Sequence, residues 1–291
     1  MGSRPRRGSP TVVNKRSFRV RLAKVLLRAL QGALPDRLYK PLYEGAFRFY
    51  KGLLRLFYLR QVIRAWLRGD DGSFRRARAV HRVMPYSLVG ALGLEATYDA
   101  ATDIEEKNLT GAFVECGVAQ GGCSALMAMV AARHDHGRLM WLFDSFEGLP
   151  DPTAPDYDAD REWTGSHIRP LPPGSCLGTE TQVDKLLFST FGLDRPKVFL
   201  VKGWFQNTLP QHRGRIGPIS LLRIDGDWYE STKCCLENLY DNLVAGGYLI
   251  VDDYGVCYGC QRAVDEFMQE RTIDFEPHFD GRGGVLFRKP S

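Results

Sequence analysis

Two short stretches carry acids where an apolar run stops. LLRIDGDWYEST (221–232) ends its hydrophobic part at Asp225 and Asp227, and YLIVDDYG (248–255) ends at Asp252 and Asp253. Carboxylates at strand ends act as turn formers, ribose binders, general bases or ligands of a hard metal ion. If the two runs are neighbouring strands, Asp225, Asp252 and Asp253 share one rim. Three carboxylates crowded without a cation would repel or take up protons. Oxygen donors with open positions around them suit Mg²⁺, which keeps waters or substrate oxygens as its other ligands. The alternative is that each acid caps the helix that follows. Acids at both strand ends favour the metal.

A second candidate site lies upstream. The run GAFVECG is followed by VAQGG and then by a helical pattern, so Gly117, Gly121 and Gly122 sit in a strand-to-helix turn. Gly117 permits a tight turn, and Gly121 and Gly122 let a ligand approach the backbone. The spacing is not the G-x-G-x-x-G pyrophosphate cradle. The helix N-terminus still favours an anion such as a carboxylate. The next strand, LMWLFD, ends in Asp144, placed to accept hydrogen bonds from a ribose diol. A nucleoside without a pyrophosphate points to S-adenosylmethionine (SAM) rather than NAD. The alternative for these glycines is an ordinary tight turn.

The elements that must position these residues follow from periodicity. After Gly111 five apolar strands are expected, GAFVECG, LMWLFD, KVFLVKG, ISLLRID and YLIVDD, separated by helices at about 124–133, 230–244 and 260–271. DFEPHF and GGVLFRK read as a closing hairpin. Short, fully apolar strands alternating with helices imply an α/β fold with a mostly parallel sheet covered on both faces. The long polar loop from Gly148 to about Thr181 is a candidate substrate lid, and His167 within it is a candidate base. His212 is another, Asp225 is the preferred proton acceptor, and Trp204 and Phe205 are candidate walls of an acceptor pocket.

Charge divides the chain. Residues 1–83 hold 21 of the 39 Lys and Arg but 4 of the 34 Asp and Glu, so the remainder is net acidic. The first 15 residues read as disordered, and amphipathic helix is expected from Ser17, then again through AFRFYKGLLRLFYLRQVIRAWLRG. A basic helical extension over 1–83 and a catalytic domain over 84–291 are the expected parts. Arginines interleaved with aromatics suit an anionic lipid surface. No nucleic-acid motif accompanies them, so nucleic acid is not an expected partner, although binding through this arm is the non-enzymatic alternative. Seven cysteines at irregular spacing, one pair as C-x-x-C at Cys257 and Cys260, read as reduced structural thiols. With no signal-peptide core or transmembrane run, a cytoplasmic protein is expected, held peripherally at the inner face of the membrane.

FVECGVAQGG, LFDSFEGLP, VKGWFQNTLP, LLRIDGDWYEST and YLIVDDYG with GCQRAVDEF occur in that order. Together they resemble the macrocin O-methyltransferase (TylF/MycF-like) family over roughly Met84 to Phe287. The resemblance implies a class I SAM-dependent methyltransferase (Rossmann-like) fold with a seven-stranded sheet. It also implies Mg²⁺-dependent methylation of a hydroxyl, commonly on a sugar of a natural product. By motif, Glu115 and Gly117 belong to the SAM loop and Asp144 to the ribose contact. Ser145 belongs beside the adenosine, and Tyr86 and Ser87 to a segment that closes over the cofactor. Asp225, Asp252 and Asp253 match the metal ligands. The expected acceptor is a glycoside or glycolipid, with a phenolic or catechol hydroxyl as the alternative; a homo-oligomer is a candidate assembly that the sequence does not decide. Ala119-Gln120 departs from the Trp-Arg often found there.

Overall fold

The computed structural model describes residues 36–157 and 170–290, with side chains from residue 49 onward. The helix expected from Ser17 and the candidate base His167 lie outside the described residues. Seven strands form one sheet: β1 (Ala112–Cys116), β2 (Met140–Asp144), β3 (Val198–Lys202), β4 (Ile219–Ile224), β5 (Leu243–Val251), β6 (His278–Phe279) and β7 (Val285–Arg288). Their order is β3-β2-β1-β4-β5-β7-β6. β1 to β5 are parallel; β7 runs antiparallel to β5 and pairs with β6 as the closing hairpin.

Side-chain alternation along the strands builds two cores, one on each face. Phe113, Leu142, Leu221 and Ile250 belong to one. Val114, Trp141, Phe143, Leu222, Leu249 and Val251 belong to the other. The first core is completed by α2 (Asp71–Val83), α3 (Ala91–Glu106) and α4 (Gly122–His134). The second is completed by α6 (Phe205–Ile216), α7 (Tyr229–Leu239) and α8 (Tyr258–Glu270). Between them in sequence, the short α5 (Glu180–Asp184) continues as a π-helical turn through Thr190 and adds Val183 and Leu187 to the first core.

One element boundary differs from the sequence expectation. The helix expected over 230–244 stops at Leu239, and β5 begins at Leu243, running through Gly246 and Gly247. Gly246 takes φ +77° and donates its N–H to the Lys289 carbonyl, so the glycines bend the strand rather than precede it. The chain also divides into residues 1–53 and 54–291. Within the larger unit α2 buries Ala77, Ala79, Val80 and Val83 in the first core. Helix α1 (Asp36–Leu67) ends in this unit with Tyr58 and Ala65 buried.

Candidate active site

Register brings the acids together. Cys116 pairs with Ile224, and Ile224 pairs with Val251, so the next residue of each strand meets at one carboxyl rim. The Asp225 N–H donates to the Cys116 carbonyl at 2.8 Å, and the Asp252 N–H to the Ile224 carbonyl at 3.0 Å. Oxygens of Asp225, Asp252 and Asp253 lie within 4.8 Å of one another. This is the convergence expected from the two strand ends. Asp227, Asp253 and Cys257 form a second group within the same limit, so Asp227 adjoins the site although the sequence reading gave it no role.

The charge balance depends on a residue the motif reading passed over. Arg223 lies inside β4 and is completely buried. Its Nη2 donates to Asp225 Oδ2 at 2.8 Å and to Asp252 Oδ1 at 2.9 Å, while Nε donates to Glu115 Oε1 at 3.2 Å. Arg282, from the turn before β7, donates to Asp252 Oδ2 at 2.6 Å. Ser124 Oγ donates to the other oxygen of Glu115. An arginine within the buried, mostly apolar run ISLLRI was the available signal, because a buried guanidinium requires nearby acids. Arg282, in a polar turn, left no such trace.

Two guanidiniums do not neutralise five carboxyls. Burial, then repulsion from Asp252, raises Asp225 to about 6 against the pull of Arg223 and Arg282. Burial and repulsion from Asp225 and Asp252 raise Asp227 to about 8. Burial raises Glu115 to about 7 despite Arg223 and Ser124. Asp253 is pushed well up by burial and by Asp227, Asp225 and Asp252. Asp252 alone goes the other way: burial pushes it up, but its two arginines outweigh that and hold it below the usual carboxylate range. Asp253 Oδ2 is buried and has no hydrogen-bond partner. Carboxyls that burial and mutual repulsion drive to hold protons, with one orphaned oxygen among them, are a set in which a divalent cation could take the protons' place. The donor set fits a hard ion.

The strand-one loop stands beside this rim. Asp144 Oδ2 accepts from the N–H groups of Val118 (2.7 Å) and Ala119 (2.9 Å), and Oδ1 accepts from Phe146 at 2.7 Å. Asp144 thus shapes the loop with three backbone bonds, and burial still holds its pKa above the usual value. The glycines are approached by the chain itself. A Cβ on Gly117 (φ +93°) would lie 1.9 Å from the Asp225 carbonyl oxygen. One on Gly122 would lie 2.6 Å from Ser87 Cβ and 2.7 Å from the Tyr86 carbonyl oxygen, and one on Gly121 would meet Leu186 at 3.1 Å. Tyr86 and Ser87 therefore pack on the start of α4. Ser87 is buried, whereas Tyr86 is partly exposed with its ring edge-on to Phe191. Ser145 is buried, donating to the Gly148 carbonyl and accepting from the Glu147 N–H.

The remaining candidates separate. His212 does not join the rim: its ring meets Trp141 and Phe143 edge-on, and its Nδ1 lies 2.8 Å from the Thr208 carbonyl oxygen. A cavity of about 390 Å³ lined by His212, Trp141, Phe199 and Arg215 lies there, against β3, and none of the rim acids lines it. Phe205 Cε2 is 3.5 Å from the position a Cβ would take on Gly226, between Asp225 and Asp227. Trp204 begins α6 half-buried. The two described limbs of the long loop are anchored at this end of the sheet. Asp156 is buried and accepts from the Tyr229 N–H at 2.6 Å, while a Cβ on Gly178 would strike the Ala119 carbonyl oxygen at 1.8 Å. All seven cysteines are free thiols, Cys257 and Cys260 both buried.

Comparison with known proteins agrees with this architecture. The sequence profile described as macrocin-O-methyltransferase (TylF) matches residues 27–289. The chain is 36% identical over 205 residues to demethyldecarbamoylnovobiocin O-methyltransferase of Streptomyces niveus, which covers 70% of this chain and 76% of that protein. It is 34% identical over 200 residues to 8-demethyl-8-(2,3-dimethoxy-alpha-L-rhamnosyl)-tetracenomycin-C 4'-O-methyltransferase of Streptomyces olivaceus, covering 68% and 74%. The structure of the O-methyltransferase NovP superposes with a TM-score of 0.62 at 35% identity, over 71% of this chain and 83% of that one. The chain belongs to the TylF macrocin-O-methyltransferase family, and is a SAM-dependent O-methyltransferase with a class I methyltransferase fold.

Proposed function

We propose that the protein methylates a hydroxyl of a sugar on a glycosylated natural product or glycolipid, with Mg²⁺ held by Asp225, Asp252 and Asp253. The observation that carries the reading is the buried, unpartnered Asp253 Oδ2 among three convergent carboxylates. The Streptomyces olivaceus relative, named as acting on a rhamnosyl-tetracenomycin, supports the sugar acceptor. The strand-one loop, from Glu115 to Gly122 with Asp144 beneath it, is the proposed SAM site. Ser145 would border the adenosine, and Tyr86 and Ser87 would close over it. A bound divalent ion would supply charge neutralisation and lower the pKa of an acceptor hydroxyl.

The chain's own residues do the rest. Asp225, 23% exposed and raised toward neutrality, is the proposed proton acceptor for the hydroxyl. Arg223 and Arg282 fix Asp252 so that its remaining lone pairs face a set direction, and Arg223 does the same for Asp225. Phe205 borders the turn that carries Asp225 and Asp227, and is placed to exclude water.

Radiolabelled methyl transfer tests this reading. Chelator should abolish turnover and Mg²⁺ restore it, with SAM affinity by calorimetry largely unchanged. The Asp252→Ala/Asp253→Ala variant should be inactive at any Mg²⁺ concentration. Full activity in excess chelator, or in that variant, would remove the metal from the account. A preference for catechols over glycosides would reassign the acceptor.

A further inference from the structure

Within the larger unit, the last turns of α1 present an exposed apolar surface away from the rim acids in sequence. Leu54, Leu56, Phe57, Ile63, Trp66 and Leu67 are all exposed, Trp66 at 65% and Leu67 at 70%. Apolar side chains standing singly on a surface are ordinary, but six within fourteen residues of one helix are not. The helix keeps its other side for the protein: Tyr58 and Ala65 are buried, and Tyr58 donates its hydroxyl proton to Glu95 at 2.6 Å. Leu56, Arg60, Ile63 and Leu67 follow one another at spacings of four, three and four, so they line one stripe opposite that buried side.

The charges on this segment select what covers it. Arg55, Arg60, Arg64 and Arg68 are exposed, and no acid occurs between Gly45 and Gly69. Pairing this face with a second copy would set Arg60 and its neighbours against arginines, with no carboxylate in either stripe to offset them. An anionic bilayer is complementary on both counts. Its headgroups pair with guanidiniums that reach outward from apolar stems, and its acyl boundary accepts Leu, Ile, Phe and Trp. Among the described residues no helix is long and apolar enough to cross a membrane, so the helix would lie in the interface.

We infer that residues 54–68 form an interfacial membrane-docking face, with a bilayer of anionic lipid as the partner. The inference goes beyond the proposed reaction and does not depend on it. The sequence assigned membrane contact to the whole basic arm; the inference places it on the stripe of Leu56, Ile63 and Leu67, flanked by Phe57, Trp66 and the arginines.

Flotation of the full chain with phosphatidylglycerol/phosphatidylcholine vesicles tests the inference, with pure phosphatidylcholine as control. The protein should float with the acidic vesicles only. Trp66→Ser/Leu67→Ser and Arg64→Glu/Arg68→Glu should each reduce the bound fraction at least tenfold, while methyl transfer to a soluble glycoside is retained. Trp66 also reports directly: its emission should shift to the blue on acidic vesicles, and Trp66→Phe should remove that shift. This milder variant carries the test should the paired variants fail to fold. The inference is overturned if the full chain ignores acidic vesicles, if the folded variants float unchanged, or if the shift survives in Trp66→Phe. Variants that turn a dimer into a monomer in light scattering, with flotation unaltered, would assign the face to a second copy.

Discussion

Arg223 is the residue on which the rim depends. Its guanidinium is shared among Glu115, Asp225 and Asp252, all held on neighbouring strand ends. Removing one partner from such a buried set leaves uncompensated charge, at a cost of about 3–5 kcal/mol. Arg223→Leu is therefore expected to lower unfolding free energy by that order in urea titration, and a loss under 1 kcal/mol would mean the acids are neutral in the folded protein. The same crowding predicts a pH dependence. Asp225, Glu115 and Asp227 are raised to about 6, 7 and 8, so the folded state keeps protons that the unfolded chain releases near pH 4. Stability from these groups is fully present below pH 4 and is lost as pH rises through 6 to 8. Asp252, with its pKa lowered, works the opposite way: its stabilisation is present above the ordinary carboxylate pKa and is lost as the pH falls below it. The metal-free protein should melt at lower temperature at pH 8 than at pH 5, and added Mg²⁺ should raise the melting temperature more at pH 8, where its ligands are ionised. A melting temperature independent of both pH and Mg²⁺ would contradict this. The acids were legible from sequence because each ends an apolar run. Their counter-charges were less so: Arg223 hides in a strand, and Arg282 reaches Asp252 only after the hairpin closes the sheet.

At the scale of elements, the site is a product of parallel register. Five strand runs read from the sequence appear as β1 to β5, because short, mostly apolar segments have few other ways to be buried. The start of β5 was not legible: Gly246 and Gly247 look like a helix stop, yet backbone pairing with Lys289 keeps them in the sheet. The glycines of the strand-one loop are also better understood from the fold. Their missing side chains make room for Asp225, for Tyr86 with Ser87, and for Leu186, which no local pattern reveals. Gly117→Ala tests the tightest of these. Its Cβ would sit 1.9 Å from the Asp225 carbonyl oxygen in a backbone conformation that L side chains rarely adopt. The loop and the β4 end must then part, so SAM affinity and turnover should fall together by at least tenfold. Wild-type kinetics in this variant would show that the junction tolerates separation.

The whole molecule adds a question of extent. The family match begins at residue 27, and the larger packed unit begins at Leu54, both before the position where the basic composition ends. Composition changes near residue 83, but α2 inserts Val80 and Val83, fully buried, into the core. Each buried valine contributes about 1.5–3 kcal/mol. A chain truncated to 84–291 should therefore aggregate or melt far below the full protein, whereas 54–291 should fold. Equal melting temperatures for the two would support a boundary at residue 84.

The central claim is metal-assisted methylation of a sugar hydroxyl, and one measurement addresses it most directly. Matched glycosides, one with vicinal hydroxyls and one with the neighbouring hydroxyl replaced by hydrogen, are compared for methyl transfer from SAM with Mg²⁺ and with chelator. A hard ion held by Asp225, Asp252 and Asp253 would take further oxygen ligands from water or substrate, and a vicinal diol could supply two of them. The account predicts rapid, Mg²⁺-dependent transfer to the diol and a loss of at least tenfold for the deoxy compound. Equal rates for the two, or transfer to either that persists in chelator, would contradict it.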